Sequence, residues 1–183
     1  MFGTLFYFLI STFYYTNQQK YLILLQIGVV TILIPIAFFY FLRSFDKADN
    51  VMIPDLSQRK IPLIFQGMII YLLLSNTIKE SILPELHFFL LGGLISTFIL
   101  LLLLFLKIKA SIHLVGISAL TIYVGALSLH FKVNVIYSFA ALVLLNGLVA
   151  TSRLELKAHT FKEIIFGFFT GLLPQLILTY YWL

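Results

Sequence analysis

The chain has no cysteine, one tryptophan and only seven acidic residues among its 183. Without cysteine, disulfides and thiolate metal sites are excluded, and the sequence says nothing about redox compartment. Charged residues make up 10% of the chain, too few to clothe an ordinary water-soluble domain. Gly-rich nucleotide loops, a Ser-nucleophile elbow and a paired-carboxylate site are also missing. What fills the sequence instead is apolar: 61% of it is hydrophobic, and the mean hydropathy is +1.06. Such a chain is expected to be an integral membrane protein. The short alternating segments of an outer-membrane barrel are absent, so helices are the only spanning option, because every backbone amide must be paired in lipid. The start lacks a basic region and a small-residue cleavage site, so no cleavable signal peptide is expected. The net charge is +5, but the cations are scattered over short loops. Membrane lipid head groups, and no nucleic acid, are therefore the expected anionic partners.

Residues 1–15 read as a short or peripheral first helix with Tyr14 and Tyr15 at belt height. Six longer runs read as spans: Tyr21 to Leu42, Ile61 to Thr77, His87 to Leu106, Ser111 to Ser128, Val133 to Ala150 and Phe161 to Leu183. Pro35 interrupts the first of these, and Pro54 marks a turn in the polar segment 44–60. Gly92-Gly93 and the pair Gly167 and Gly171 are expected at close helix crossings, with Gln66 and Asn146 as interhelical hydrogen-bond donors and Tyr180, Tyr181 and Trp182 as an interfacial anchor. The expected fold is all-α, a polytopic transmembrane bundle of six or seven spans forming one domain over 1–183, with a six-helix core over 21–183.

Parity then sorts the loops. With one crossing between successive loops, segments 43–60, 107–113 and 151–160 emerge on one face. That face collects Arg43, Lys47, Arg59, Lys60, Lys107, Lys109, Arg153, Lys157 and Lys162, nine of the twelve cations, together with His113 and His159. Lys20, Lys79 and Lys132 lie opposite, with His87 and His130, which carry no motif. The positive-inside rule reads this asymmetry as topology and places the face in the cytoplasm; a phosphate-binding site reads it as function.

The densest polar stretch on that face is Ser152 to Glu163, where Ser152-Arg153, five residues, His159, three residues and Glu163 follow one another. Arginine is a permanent cation suited to phosphate, and histidine serves as nucleophile or proton carrier. If the chain is helical from Thr160, Glu163 stacks one turn beyond His159 and accepts its ring N–H. A second element, Ala110-Ser111-Ile112-His113, opens a span on the same face. A third, Arg59-Lys60-Ile61-Pro62, opens another.

These three elements resemble the motifs of the type 2 phosphatidic-acid phosphatase family, the lipid-phosphatase branch related to vanadium haloperoxidases. The family's third motif is Ser-Arg, five residues, His, three residues, Asp; Glu163 stands here in place of the Asp. Its second motif is Pro-Ser-Gly-His; Ser111 and His113 match, while Ala110 and Ile112 replace Pro and Gly. Its first motif is Lys, six residues, Arg-Pro. Lys47 lies seven residues before Pro54 with no Arg between, so Arg59 and Lys60 are the better placement, although no Lys stands seven residues upstream of Arg59. The resemblance implies a lipid-phosphate phosphatase of a bacterial inner membrane that acts on a phosphatidate-like or isoprenoid diphosphate lipid without a cofactor or metal. It implies that His159 attacks phosphorus to give a phospho-histidine, Glu163 orients it, and His113 protonates the leaving oxygen. Arg153, Ser111, Ser152, Arg59 and Lys60 would bind phosphate.

A catalytically inactive relative that binds anionic head groups, or has a structural or transport role, is the alternative, favoured by the departures at Ile112, Glu163 and the first motif. Lys107, Lys109, Lys157 and Lys162 read as snorkelling or head-group cations, with Lys107 or Lys109 able to supplement the first motif. Asp46, Asp49 and Asp55 lack the second acidic cluster that a magnesium-dependent prenyltransferase needs.

Overall fold

A few polar residues between apolar runs decide where the helices start and stop. The computed structural model describes residues 1–11, 16–44 and 56–183, with side chains from Arg59 onward in the last segment, and those residues are all-helical with no strand. Tyr14, Tyr15, Asp46, Lys47, Asp49, Pro54 and Asp55, to which the sequence assigns a belt, a turn and candidate ligands, lie outside the described residues. Seven helices follow in order: α1 (Phe2–Ile10), α2 (Asn17–Ser44), α3 (Leu56–Asn76), α4 (Pro84–Phe105), α5 (Ile112–Phe131), α6 (Ile136–Glu155) and α7 (Phe161–Thr179).

Two helices open on a reciprocal cap. The Thr16 hydroxyl accepts from Gln19 N–H while the Gln19 side chain accepts from Thr16 N–H, and Thr160 and Glu163 repeat the arrangement at α7. α4 begins with Pro84, whose missing N–H costs nothing in a first turn. Inside α2, Pro35 has no N–H to give to the preceding turn. The helix widens just before it into a π turn over Val29–Leu33, where Ile34 N–H reaches the Val29 carbonyl.

Three helices end alike, on a lysine in the left-handed region: Lys107 (φ 59°), Lys132 (φ 53°) and Lys157 (φ 50°). In each, the next residue donates back to a carbonyl five positions earlier: Ile108 to Leu103, Val133 to Ser128 and Ala158 to Arg153. Glycine usually fills this position; lysine brings backbone strain and, in return, a cation at the negative helix end.

α2, α4, α5, α6 and α7 are long and apolar enough to cross a membrane, which makes the chain an integral membrane protein of the helical-bundle class. The six or seven spans read from sequence divide differently in the structure. α1 has nine residues, about 13 Å of helix, which is too short to cross. It lies instead against the bundle, with Tyr7 and Phe8 in the same buried cluster as Leu83, Leu86 and Tyr123. α3 has 21 residues, but Arg59, Lys60, Gln66 and Asn76 dilute its apolar stretch. It nonetheless runs from one end of the bundle to the other. Arg59 lies within coulombic reach of Glu163 at one end, and past the other end the Ile78 carbonyl accepts from His87 Nδ1–H at 2.7 Å.

α7 is the helix against which the others are set. Its two glycines let it cross α5 almost backbone to backbone: a Cβ on Gly167 would sit 2.5 Å from the Ser111 carbonyl oxygen, and one on Gly171 would collide with the Val115 carbonyl oxygen and the Ser118 hydroxyl. This bears out the close crossing expected of that pair. Interhelical hydrogen bonds lock the same surface: Ser118 Oγ to Phe168 O (3.0 Å), Ser96 Oγ to Thr170 O (2.9 Å) and Gln175 Nε2 to Phe89 O (2.8 Å). Gly92 makes room for Gln175, and Asn146 Nδ2 donates to Thr121 Oγ1 at 2.8 Å. Gln66 makes no interhelical hydrogen bond among the described residues. Gly171→Leu is expected to destabilise the bundle by about 3 kcal/mol, since backbone cannot yield to the new side chain. Gly147→Leu, at a glycine with open space beside it, leaves the thermal midpoint in detergent within about 2 °C of wild type.

Candidate functional site

The helix ends at the α3 N-terminus, the α4–α5 loop and the α6–α7 loop meet at one end of the bundle. The Ser111 backbone N–H donates to the Glu163 carbonyl at 3.1 Å, so the residue before α5 and the first turn of α7 are tied directly. Lys109 Nζ donates to the Ala158 carbonyl at 2.8 Å and lies 4.0 Å from Glu163 Oε2. Two of the three sequence elements are thereby held in contact.

His159 is placed by the end of α6. The chain reverses at Lys157, and the Arg153 carbonyl takes the N–H groups of both Ala158 (3.1 Å) and His159 (3.3 Å). His159 Nδ1–H then donates to Glu163 Oε2 at 2.8 Å, the contact expected from the four-residue spacing. This bond assigns the tautomer and leaves Nε2 with its lone pair available. Glu163 Oε2 also accepts the Thr160 N–H at 3.4 Å, so one carboxylate both caps α7 and orients the histidine.

Arg59, Arg153 and His159 all lie within coulombic reach of His113, and Arg59, Lys109 and Glu163 all act on His159. The structure therefore brings Arg59, His113, Arg153, His159 and Glu163 together, and adds Lys109. Among the described residues Glu163 is the carboxylate that acts on this cluster, facing Lys109 and Arg59. Arg59 is 8% exposed. The Ser111 hydroxyl and Arg153 Nε are fully buried without a hydrogen-bond partner among the described residues. Ser111 sits at the N-cap of α5, yet its hydroxyl caps nothing. Buried donors of this kind ordinarily find an acceptor.

The remaining expected residues fall elsewhere. Ser152 is exposed on α6, and among the described residues its hydroxyl makes no hydrogen bond to the cluster. Lys60 turns aside, its Nζ 5.1 Å from the centroid of the Phe105 ring. Ile112 is exposed at the surface. Lys109 reads in the sequence as a head-group cation or a supplement to the first motif; the fold reveals its bond across the α6–α7 loop. The dual use of Glu163 had a signal, Thr160-Phe161-Lys162-Glu163, the pattern of a capping box. Among the described residues no three His, Asp or Glu side chains group to hold a metal.

At the opposite end His87 is satisfied by the Ile78 carbonyl, and His130 Nε2 lies 3.1 Å from Glu85 Oε1. Glu85 is buried in the first turn of α4. No family model, curated protein or solved structure matches the chain.

Burial holds the His159 imidazole below its ordinary range by disfavouring its charged form, and Lys109 and Arg59 add repulsion, together outweighing the hydrogen bond and charge of Glu163. The ring is therefore neutral at pH 7, and an NMR titration should give a midpoint below about 6.5. Removing the acceptor with Glu163→Gln lowers that midpoint further, whereas Lys109→Met removes a repelling charge and raises it. The opposite order would show that the two side chains do not act on this ring.

Proposed function

We propose that the chain is a lipid-phosphate phosphatase that hydrolyses a phosphate or diphosphate monoester of a membrane lipid through a phospho-histidine at His159. The observation that carries this reading is the convergence of Arg59, Arg153, Lys109, His113 and the His159–Glu163 pair at one end of the bundle. Arg59, Arg153 and Lys109 are cations suited to a phosphate monoester, which carries about −1.5 to −2 near neutral pH. The buried Ser111 hydroxyl and Arg153 Nε are donors without acceptors among the described residues, and phosphate oxygens supply acceptors.

In this reading the cations and donors hold the phosphoryl oxygens while His159 Nε2 attacks phosphorus in line. The bond from phosphorus to the leaving oxygen breaks, the ester oxygen of a monophosphate or the bridging oxygen of a diphosphate, and protonated His113 gives its proton to that oxygen. Glu163 keeps Nδ1–H in place and stabilises the positive charge that develops on the ring. Water, deprotonated by His113, then attacks the phospho-histidine, releasing inorganic phosphate and restoring the imidazole. Arg59 and Lys109 stand in for the family's first-motif cations, which the sequence only partly preserves.

A binding-only reading draws on a separate observation, the capping box, which would keep Glu163 in place without any turnover. Purified protein in detergent separates the two. Phosphate release from a phosphatidate or a prenyl diphosphate is expected without added metal; His159→Ala should lower it by at least about a thousandfold, and His113→Ala by about a hundredfold. Release that is undiminished in His159→Ala removes the phospho-histidine mechanism.

A further inference from the structure

A groove of about 310 Å³ runs between α3 and α4, lined by Ile64, Gly67, Met68 and Tyr71 on one side and Leu94 and Leu101 on the other. Its walls carry no charge, and the hydroxyl of Thr97 beside them is turned back onto the Gly93 carbonyl of its own helix at 2.8 Å. Gly67 keeps the groove open: a Cβ there would meet nothing nearer than Thr97 Cγ2 at 3.7 Å.

The groove's upper end adjoins the cation cluster. Lys60 precedes Ile64 by one helical turn, Phe105 follows Leu101 by one turn, and the Lys60 ammonium lies over the Phe105 ring. Arg59, next to Lys60 on the same turn, belongs to the cluster around Glu163 and the histidines. From Lys60 to Tyr71 the helix rises about 16 Å, half the roughly 30 Å of a bilayer's hydrocarbon core. A cation at the mouth, an apolar trough below it and buried phosphate donors alongside match one kind of molecule end to end: an anionic head joined to a long hydrocarbon chain.

We propose that this groove holds a hydrocarbon chain of the phosphate-bearing lipid, with Lys60 at the head-group boundary and the phosphate in the Arg59–Arg153–His159 cluster. The assignment rests on the phosphatase reading for its head group and on the groove for its tail. It gives Lys60 a task other than binding the reacting phosphate, and gives Gly67 the task of keeping the path clear. A leucine at 67 fills the trough beside Thr97 and Leu94 without touching the cluster.

The test uses the full chain in phosphatidylcholine vesicles doped with a phosphatidate that carries a diazirine midway along one acyl chain. After irradiation, adducts should concentrate on Met68, Tyr71 and Phe98, which also lines the groove, and fall about tenfold in Gly67→Leu. The same variant should raise KM for long-chain phosphatidate about tenfold while leaving hydrolysis of dibutyryl phosphatidate at the wild-type rate. Adducts spread equally over the lipid-facing residues of α6, such as Tyr137 and Leu144, would overturn the proposal. So would equal labelling of the groove by a diazirine-bearing phosphatidylcholine, which would mean that ordinary bilayer chains fill it. If the wild-type protein releases phosphate from neither substrate, the phosphatase reading fails, and the labelling pattern still decides the groove.

Discussion

The near-contact of α5 and α7 is the constraint on which the rest of the structure depends. Lipid offers no hydrophobic force to press helices together, so close approach must come from small residues and polar bonds. Gly167 and Gly171 permit that approach, and Ser118 and Ser96 bridge α7 to α5 and α4 with hydroxyls. The approach reaches the membrane face as the bond from Ser111 N–H to the Glu163 carbonyl, which joins the residue before α5 to the first turn of α7. His113 and His159 sit two residues after one partner and four before the other. Their proximity is inherited from the glycine crossing.

On this frame Glu163 links folding to chemistry. Its Oε2 accepts from the Thr160 backbone and from His159 Nδ1, and faces Lys109. A shorter aspartate reaches a capping bond from the third helical position less readily than Glu or Gln, the residues of the capping-box pattern. The glutamate thus lets one residue start the helix and aim the imidazole. Lys109 answers the same carboxylate while holding the loop that carries His159 by the Ala158 carbonyl.

Much of this was legible in the sequence, for definable reasons. Apolar run lengths place the helices because the bilayer sets their length, and parity brings the second and third motifs to one face. The His159–Glu163 contact follows from a four-residue spacing across a helix start. The fate of α1 and α3 was less legible. A nine-residue helix and a helix with two cations in its first turn are defined by what they pack against, not by hydropathy. Lys60 and Ser152 adjoin Arg59 and Arg153 in sequence yet lie aside from the cluster, because neighbouring residues on a helix point about 100° apart. Arg59 turns inward to the cluster and Lys60 outward to Phe105. The tie from Lys109 to Ala158 spans 49 residues, which no local pattern encodes.

Burial bears on the question that counting cations left open. The positive-inside rule requires only that basic residues occupy loops on one side, and Lys107, Lys157 and Lys162 meet that requirement while exposed. It does not require Arg59 to be 8% exposed, or Arg153 Nε to be buried without a partner among the described residues. Desolvating a guanidinium costs several kcal/mol unless an anion or well-aimed acceptors compensate. Among the described residues Glu163 faces Arg59 and Lys109 here, whereas at the other end of the bundle buried Glu85 faces His130. Topology alone gives no reason to bury Arg59 beside the two histidines.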